Sequence, residues 1–202
     1  MSKRVHVSLL AAAALAIGSL SVAQGAAKNT REKVTRKPAE KPPAMPKPAS
    51  EMAQLKFFEG SWSCEGTAFD NPMGPGGKTK GTVKSQTDLG GFWQTGTVRN
   101  TMAGMPAMEG RFNMTYDRGA KQFLLLWVDS MGGYSHETSS GWDGDKIIFT
   151  GEVAMSGKTM RARDTFTKAG AGSLRHLSEM QANGKWTPLG DETCRKSGKG
   201  AK

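Results

Sequence analysis

The sequence is short of the side chains that most enzymes use for catalysis and for binding metals. It has three histidines and two cysteines in 202 residues. After residue 50 the histidines are His136 and His176. Neither lies in a Gly-x-Ser-x-Gly nucleophile motif or in a zinc-binding His-x-x-x-His helix. The sequence therefore predicts a protein that is not an enzyme, and it predicts no cofactor.

Long apolar runs are also absent, except near the N-terminus. Lys3 and Arg4 precede an apolar run over residues 7–20, and small residues follow it. A membrane-spanning helix needs about 20 apolar residues, so the run is short for one, and the pattern is typical of a cleaved signal peptide. We expect residues 1–27 to be a signal peptide and the mature protein to be periplasmic or secreted, with no transmembrane segment. The alternative is an uncleaved anchor helix.

Residues 28–50 have almost no apolar side chains and are rich in lysine, proline and alanine. Such a segment cannot bury enough surface to offset the entropy of ordering, so we expect a disordered basic linker. A disordered basic tail is expected over 197–202. These segments hold much of the net charge of +10.

Two interpretations of the basic linker stay open. It is either a tether to an anionic envelope surface or a solvated spacer. Nucleic acid is not an expected partner, because no pattern of interleaved aromatic and basic residues is present.

The remaining residues, 51–196, have the pattern of one all-β domain. Short runs with period two alternate with glycine-rich turns. The predicted strands cover residues 61–69, 82–89, 92–99, 109–117, 122–129, 134–141, 146–153, 159–167, 173–181 and 185–195. Before them, Ser50 is expected to cap a short helix that runs through Phe58. Strands joined by tight turns leave two exposed edges unless the sheet closes, so we predict a single antiparallel up-and-down β-barrel.

The two cysteines support closure of the barrel. Cys64 lies in the first predicted strand and Cys194 in the last. In an even-stranded closed meander these strands are antiparallel neighbours, and export would place them in an oxidising compartment. We expect a disulfide that seals the seam; the alternative is two independent thiols.

Several segments resemble known barrel families. Residues 58–66, with the sequence Phe-Glu-Gly-Ser-Trp-Ser-Cys-Glu-Gly, resemble the Gly-x-Trp opening of lipocalins and other calycins. Other segments are similar to the bacterial family DUF1579, a domain of unknown function: 127–131, 141–144, 149–152, 163–164 and 176–180. The resemblance spans about residues 51–196 and implies a calycin-like barrel in which Trp62 closes the base. It implies Arg195 as the last-strand partner of Trp62, and it carries no assigned chemistry.

One predicted strand, 122–129, is apolar on both faces, so one of these faces must line the barrel interior. The side chains of Asp164 and His176 are also predicted to point inward, where they form either an acid–base pair or a structural pair. The predicted ligand-binding residues are Phe123, Leu125, Trp127, Met160, Phe166, His176 and Met180. We interpret the domain as a non-enzymatic binder of a small hydrophobic or amphipathic molecule in a barrel cavity. The alternative is an interior filled by its own side chains.

Methionines Met102, Met105 and Met108 recur at every third residue around Gly104 and Pro106. Thioethers are soft ligands for Cu(I), and they are also flexible apolar groups suited to a lid at the barrel mouth. A second function class is therefore metal or haem binding, with these thioethers holding Cu(I) or His176 ligating haem iron. A third class is an envelope interaction module held by the basic linker.

Overall fold

The computed structural model describes residues 44–71 and 74–198. The predicted signal peptide, most of the linker and most of the C-terminal tail lie outside the described residues. None of the helices in the described ranges is long and apolar enough to cross a membrane. The strands are β1 Gly60–Ala68, β2 Gly77–Asp88, β3 Trp93–Met102, β4 Met108–Asp117, β5 Gln122–Asp129, β6 Tyr134–Ser139, β7 Trp142–Asp143, β8 Lys146–Met155, β9 Lys158–Lys168, β10 Ser173–Ala182 and β11 Lys185–Lys196.

These strands form one closed antiparallel sheet. Sequential neighbours pair from β1 to β6 and from β7 to β11, β1 pairs with β11, and β6 pairs with β8. Ten strands therefore close into a barrel, and the predicted up-and-down β-barrel is confirmed. The short β7 is an extra strand within the connection from β6 to β8, where Trp142 pairs with Ile147.

A 3-10 helix, Ser50–Phe58, covers one end of the barrel. Its Leu55 and Phe58 are buried. The Phe58 ring stacks on Trp142, with centroids 5.8 Å apart, and the indole N–H of Trp142 donates to the Gln54 carbonyl at 3.0 Å. The prediction that Ser50 caps this helix is wrong. The N-cap residue is Ala49, and the Ser50 hydroxyl bonds to Glu51.

The same end contains the main hydrophobic core. The core joins Leu55 and Phe58 of the helix to buried side chains of the strands. The buried core residues on the strands are Trp62, Cys64, Met114, Phe123, Leu125, Ile147, Phe149, Leu174 and Cys194. The helix and this core therefore close one end of the barrel, which we call the closed end.

Trp62 lies at the closed end, as the Gly-x-Trp resemblance implies. Its indole N–H donates to the Phe58 carbonyl at 2.9 Å, and 3% of the residue is exposed. The residue opposite Trp62 on β11 is Lys196, whose ammonium lies 5.0 Å from the ring centroid. Arg195 pairs with Ser63 and is exposed. The expected counterpart of Trp62 is therefore displaced by one residue, because successive strand side chains face opposite sides.

The predicted disulfide is confirmed. Cys64 and Cys194 are directly opposite each other on β1 and β11, and their sulfur atoms are bonded across a sequence separation of 130 residues. Both residues are buried. The bond therefore ties the first strand of the barrel to the last.

Removing this disulfide by the double substitution C64A/C194A should destabilise the barrel. In the chain-entropy model, a cross-link around a loop of this length stabilises the fold by on the order of 5 kcal/mol. We expect the midpoint of guanidinium unfolding to fall well below that of the parent, with the far-UV circular dichroism of the folded form preserved. Ser63→Ala, on the exposed face of β1, is the control. An unchanged midpoint in C64A/C194A would contradict a stabilising role for the bond.

Candidate functional site

The barrel contains a cavity of about 390 Å³ above the closed end. Core side chains such as Phe58, Trp62 and Leu174 form its floor. Toward the end of the barrel opposite the helix it is lined by flexible thioethers. These belong to Met108, Met131, Met155 and Met160. The interior is therefore not filled by its own side chains.

Two glycines explain why large aromatic side chains leave this space open. A β-carbon placed at Gly96 would lie 2.2 Å from the Phe112 ring, and one placed at Gly110 would lie 2.1 Å from the Trp127 ring. Both rings line the cavity. Each ring therefore lies against the barrel wall in space that any other residue at these glycines would occupy.

A polar cluster crosses one side of the cavity, on β9, β10 and β11. His176 Nε2 lies 2.7 Å from Asp164 Oδ1, and His176 Nδ1 lies 3.1 Å from Glu192 Oε1. The Phe166 ring stacks on the imidazole, with centroids 4.4 Å apart and planes at 10°. Pairing across the sheet places these side chains together, because His176 is opposite Glu192 on one side and Phe166 on the other.

The two carboxylates hold His176 in its charged form. Burial alone lowers the pKa of His176, but the hydrogen bonds and charges of Asp164 and Glu192 outweigh burial and raise this pKa to about 10. At neutral pH the imidazolium donates both of its N–H groups to the carboxylates. It therefore offers no lone pair to iron or to another metal.

Glu137 on β6 adds a third carboxyl group to the cavity wall. It is 2% exposed, and its Oε1 accepts a hydrogen bond from the Ser135 hydroxyl at 2.7 Å. Burial, followed by the negative charge of Asp164, raises the pKa of Glu137 to about 8. Glu137 is therefore mostly protonated at neutral pH, and it is a hydrogen-bonding group without a full charge.

One polar atom in the cavity wall has no protein partner. Within residues 44–71 and 74–198, Asn100 Oδ1 is buried and accepts no hydrogen bond, whereas the protonated carboxyl group of Glu137 is hydrogen-bonded to the Asp164 side chain. Asn100 lines the cavity. Buried polar atoms are normally hydrogen-bonded, so Asn100 Oδ1 marks a place where water or a ligand group completes the site.

The structure brings together most of the ligand-binding residues predicted from sequence. Leu125, Trp127, Met160, Phe166 and His176 line the cavity. Phe123 and Met180 are buried, 1% and 6% exposed, and are not among the residues that line it.

Sequence reasoning missed Glu137, Glu192 and Asn100. The strand that carries Glu137 has polar side chains on both faces, so its pattern does not distinguish inside from outside. Glu192 and Asn100 likewise lie among polar neighbours. Their odd or even position along a strand was the available signal for an inward-facing side chain. This signal becomes useful only once the strand register is known.

The three methionines of the predicted copper site or lid lie in different surroundings. Met108 lines the cavity, and the Met102 sulfur lies beside Gly77. Met105 is in the turn between β3 and β4 and is 49% exposed.

Comparisons with known proteins agree with this architecture. The family model described as Protein of unknown function (DUF1579) matches residues 47–194. Among solved structures, the crystal structure of Rv2717c from M. tuberculosis superposes with a TM-score of 0.58 at 14% sequence identity, covering 74% of this chain and 99% of that chain. No match is found among curated proteins. At this level of identity, the likeness to the solved structure establishes the barrel fold alone.

The buried carboxyl group of Glu137 should make stability depend on pH. Its pKa is raised from 4.5 to about 8 on folding. As the pH rises through this window, the unfolded chain releases the proton before the folded chain does, so the stabilising contribution present at low pH is lost. We expect the thermal midpoint to fall less between about pH 5 and about pH 9 in Glu137→Gln than in the parent.

The matched control for this measurement is Glu152→Gln, which removes an exposed carboxylate from β8. It should follow the parent curve. His176, whose pKa is raised from 6.5 to about 10, contributes a second loss of stability over a higher pH range in every variant. If the thermal midpoints of the parent and of Glu137→Gln change in parallel with pH, Glu137 is not held protonated in the folded protein.

Proposed function

Since this chain belongs to the family described as Protein of unknown function (DUF1579), its function has to be argued from its own site, and we propose that it binds one small amphipathic molecule inside the barrel without catalysing a reaction. The observation that carries the proposal is the open cavity of about 390 Å³. This volume lies within the range of roughly 300–1,000 Å³ that is typical of small-molecule sites.

The apolar part of the cavity wall supports an apolar ligand body. Phe112 and Trp127 present flat aromatic surfaces, and Val153 adds an aliphatic one. The methionine side chains at the end opposite the helix are unbranched and polarisable, so they adapt to ligands of different shape. A hydrophobic tail that displaces water from this surface gains about 25 cal/mol for each Å² buried.

The polar part of the wall supports a polar head group. The unpartnered Asn100 Oδ1 is satisfied if a ligand group donates a hydrogen bond to it. Leaving such an atom unpaired costs about 1–3 kcal/mol, so a ligand that pairs it gains affinity and orientation.

The state of His176 argues against the alternatives of catalysis and haem binding. An imidazolium with a pKa of about 10 is a poor general base at neutral pH, and both of its nitrogens are engaged by Asp164 and Glu192. Glu192 also lies within 4.8 Å of the sulfur atoms of Cys64 and Cys194. Because those sulfurs form a disulfide, they are not the thiolates that bind metals.

We place this binding activity outside the cytoplasm. The buried disulfide fits an oxidising compartment such as the periplasm. The signal peptide and the basic linker lie outside the described residues, and a tether to the envelope remains a prediction.

The direct test is native mass spectrometry of the full chain purified without reducing agent, together with titration by the fluorescent dye N-phenyl-1-naphthylamine. We expect an added mass that is lost on denaturation, or one dye bound per chain with enhanced emission. A bare mass and no dye binding would overturn the proposal.

Filling the cavity should abolish binding. Ala162 lines the cavity and is buried, so Ala162→Phe places a ring inside it. We expect dye affinity to fall at least about tenfold, because the ring takes the ligand's volume. Thr159→Phe, which adds the same ring at an exposed position of β9, is the control and should bind as the parent does. Equal affinity in the two variants would place the dye outside the barrel.

A further inference from the structure

The charges on the cavity wall differ sharply from those of the whole chain. The chain has 28 lysines and arginines against 18 aspartates and glutamates. Among the described residues that line the cavity, none is lysine or arginine, and six are acidic. The six are Asp129, Glu137, Asp164, Glu179, Asp191 and Glu192.

Two of these acids are neutralised by arginines that do not line the cavity. Arg163 binds Glu179 through two hydrogen bonds of 2.7 and 2.8 Å, and the Trp186 ring lies 4.5 Å from its guanidinium. Arg175 binds Asp191 through two more, at 2.9 and 2.5 Å. These pairs therefore contribute little net charge to the interior.

His176 provides the one positive charge on the described cavity wall, and this charge is more than balanced. Its two N–H groups are taken by Asp164 and Glu192, which together carry two negative charges. The cluster is therefore anionic overall, and the imidazolium keeps no N–H for a bound anion. At the opposite end of the cavity Asp129, whose Oδ1 accepts N–H bonds from Met131 and Gly133, is a further carboxylate.

We infer that the ligand's head group carries no negative charge and donates hydrogen bonds, as an amine or a hydroxyl does, so that the cavity rejects fatty acids and other carboxylates. This inference rests on the proposed function. A donor head group pairs with carboxylate oxygens and with the unpartnered Asn100 Oδ1. A carboxylate would meet like charges where little water screens them, with no free cation to bind.

The test compares three ligands with the same tail. Decylamine, decanol and decanoate each compete with N-phenyl-1-naphthylamine for the full chain at neutral pH, below their critical micelle concentrations. We expect decylamine and decanol to displace the dye and decanoate to compete at least about tenfold more weakly. Decanoate that competes as well as decylamine, or a bound dye that none of the three displaces, overturns the inference. Absence of dye binding, together with a bare mass in native mass spectrometry, overturns the proposed function itself.

A variant that lacks one carboxylate tests whether the cluster of Asp164, His176 and Glu192 causes the preference for decylamine over decanoate. Glu192→Gln removes one of the two negative charges around His176, so that the remaining pair of Asp164 and His176 is neutral overall. We expect the ratio of decylamine to decanoate affinity to fall by about tenfold in this variant.

Glu152→Gln, which removes a carboxylate from the outer face of β8, is the matched control and should keep the parent ratio. An unchanged ratio in Glu192→Gln would show that the cluster does not select the ligand.

Discussion

Closure of the hydrogen-bonded sheet is the constraint on which the rest of this protein depends. Pairing of β1 with β11 and of β6 with β8 leaves no free edge in the ring of ten strands. Every second side chain of each strand then has to face a common interior. The disulfide lies on the β1–β11 pair, where the two ends of the domain meet, so it stabilises closure where the chain itself does not connect the strands.

The size of the ring then decides what the interior contains. A barrel of about eight strands is just filled by its own side chains or holds one small ligand, and a larger ring encloses more space. Here one end is filled by the helix residues Leu55 and Phe58 and the adjoining core. Farther in, Gly96 and Gly110 let Phe112 and Trp127 lie against the wall. The open volume is therefore a consequence of strand number combined with small residues at two inward positions.

Polar groups in such an interior are costly, and this cost connects the site to stability. An imidazolium between two carboxylates satisfies both of its donors, but it requires three charges to be held away from bulk water. Glu137 avoids part of this cost by staying protonated. Side chains chosen only for stability would make this wall apolar, so the cluster fits the ligand recognition that we propose.

The sequence by itself determined the strand order, the closed barrel and the disulfide. Period-two patterns, tight turns and cysteine positions are local signals, and an antiparallel meander of such strands turns them into one closed arrangement. It also indicated that Asp164 and His176 point inward, from strand alternation. The partners of these residues needed the tertiary structure. Glu137 and Glu192 lie in strands without a distinct apolar face, and a one-residue difference in register separates Lys196 from Arg195 opposite Trp62. Whether the interior is open, and which charges meet inside it, was decided only when distant strands packed across the barrel, since cavity volume and net charge are properties of the assembled wall.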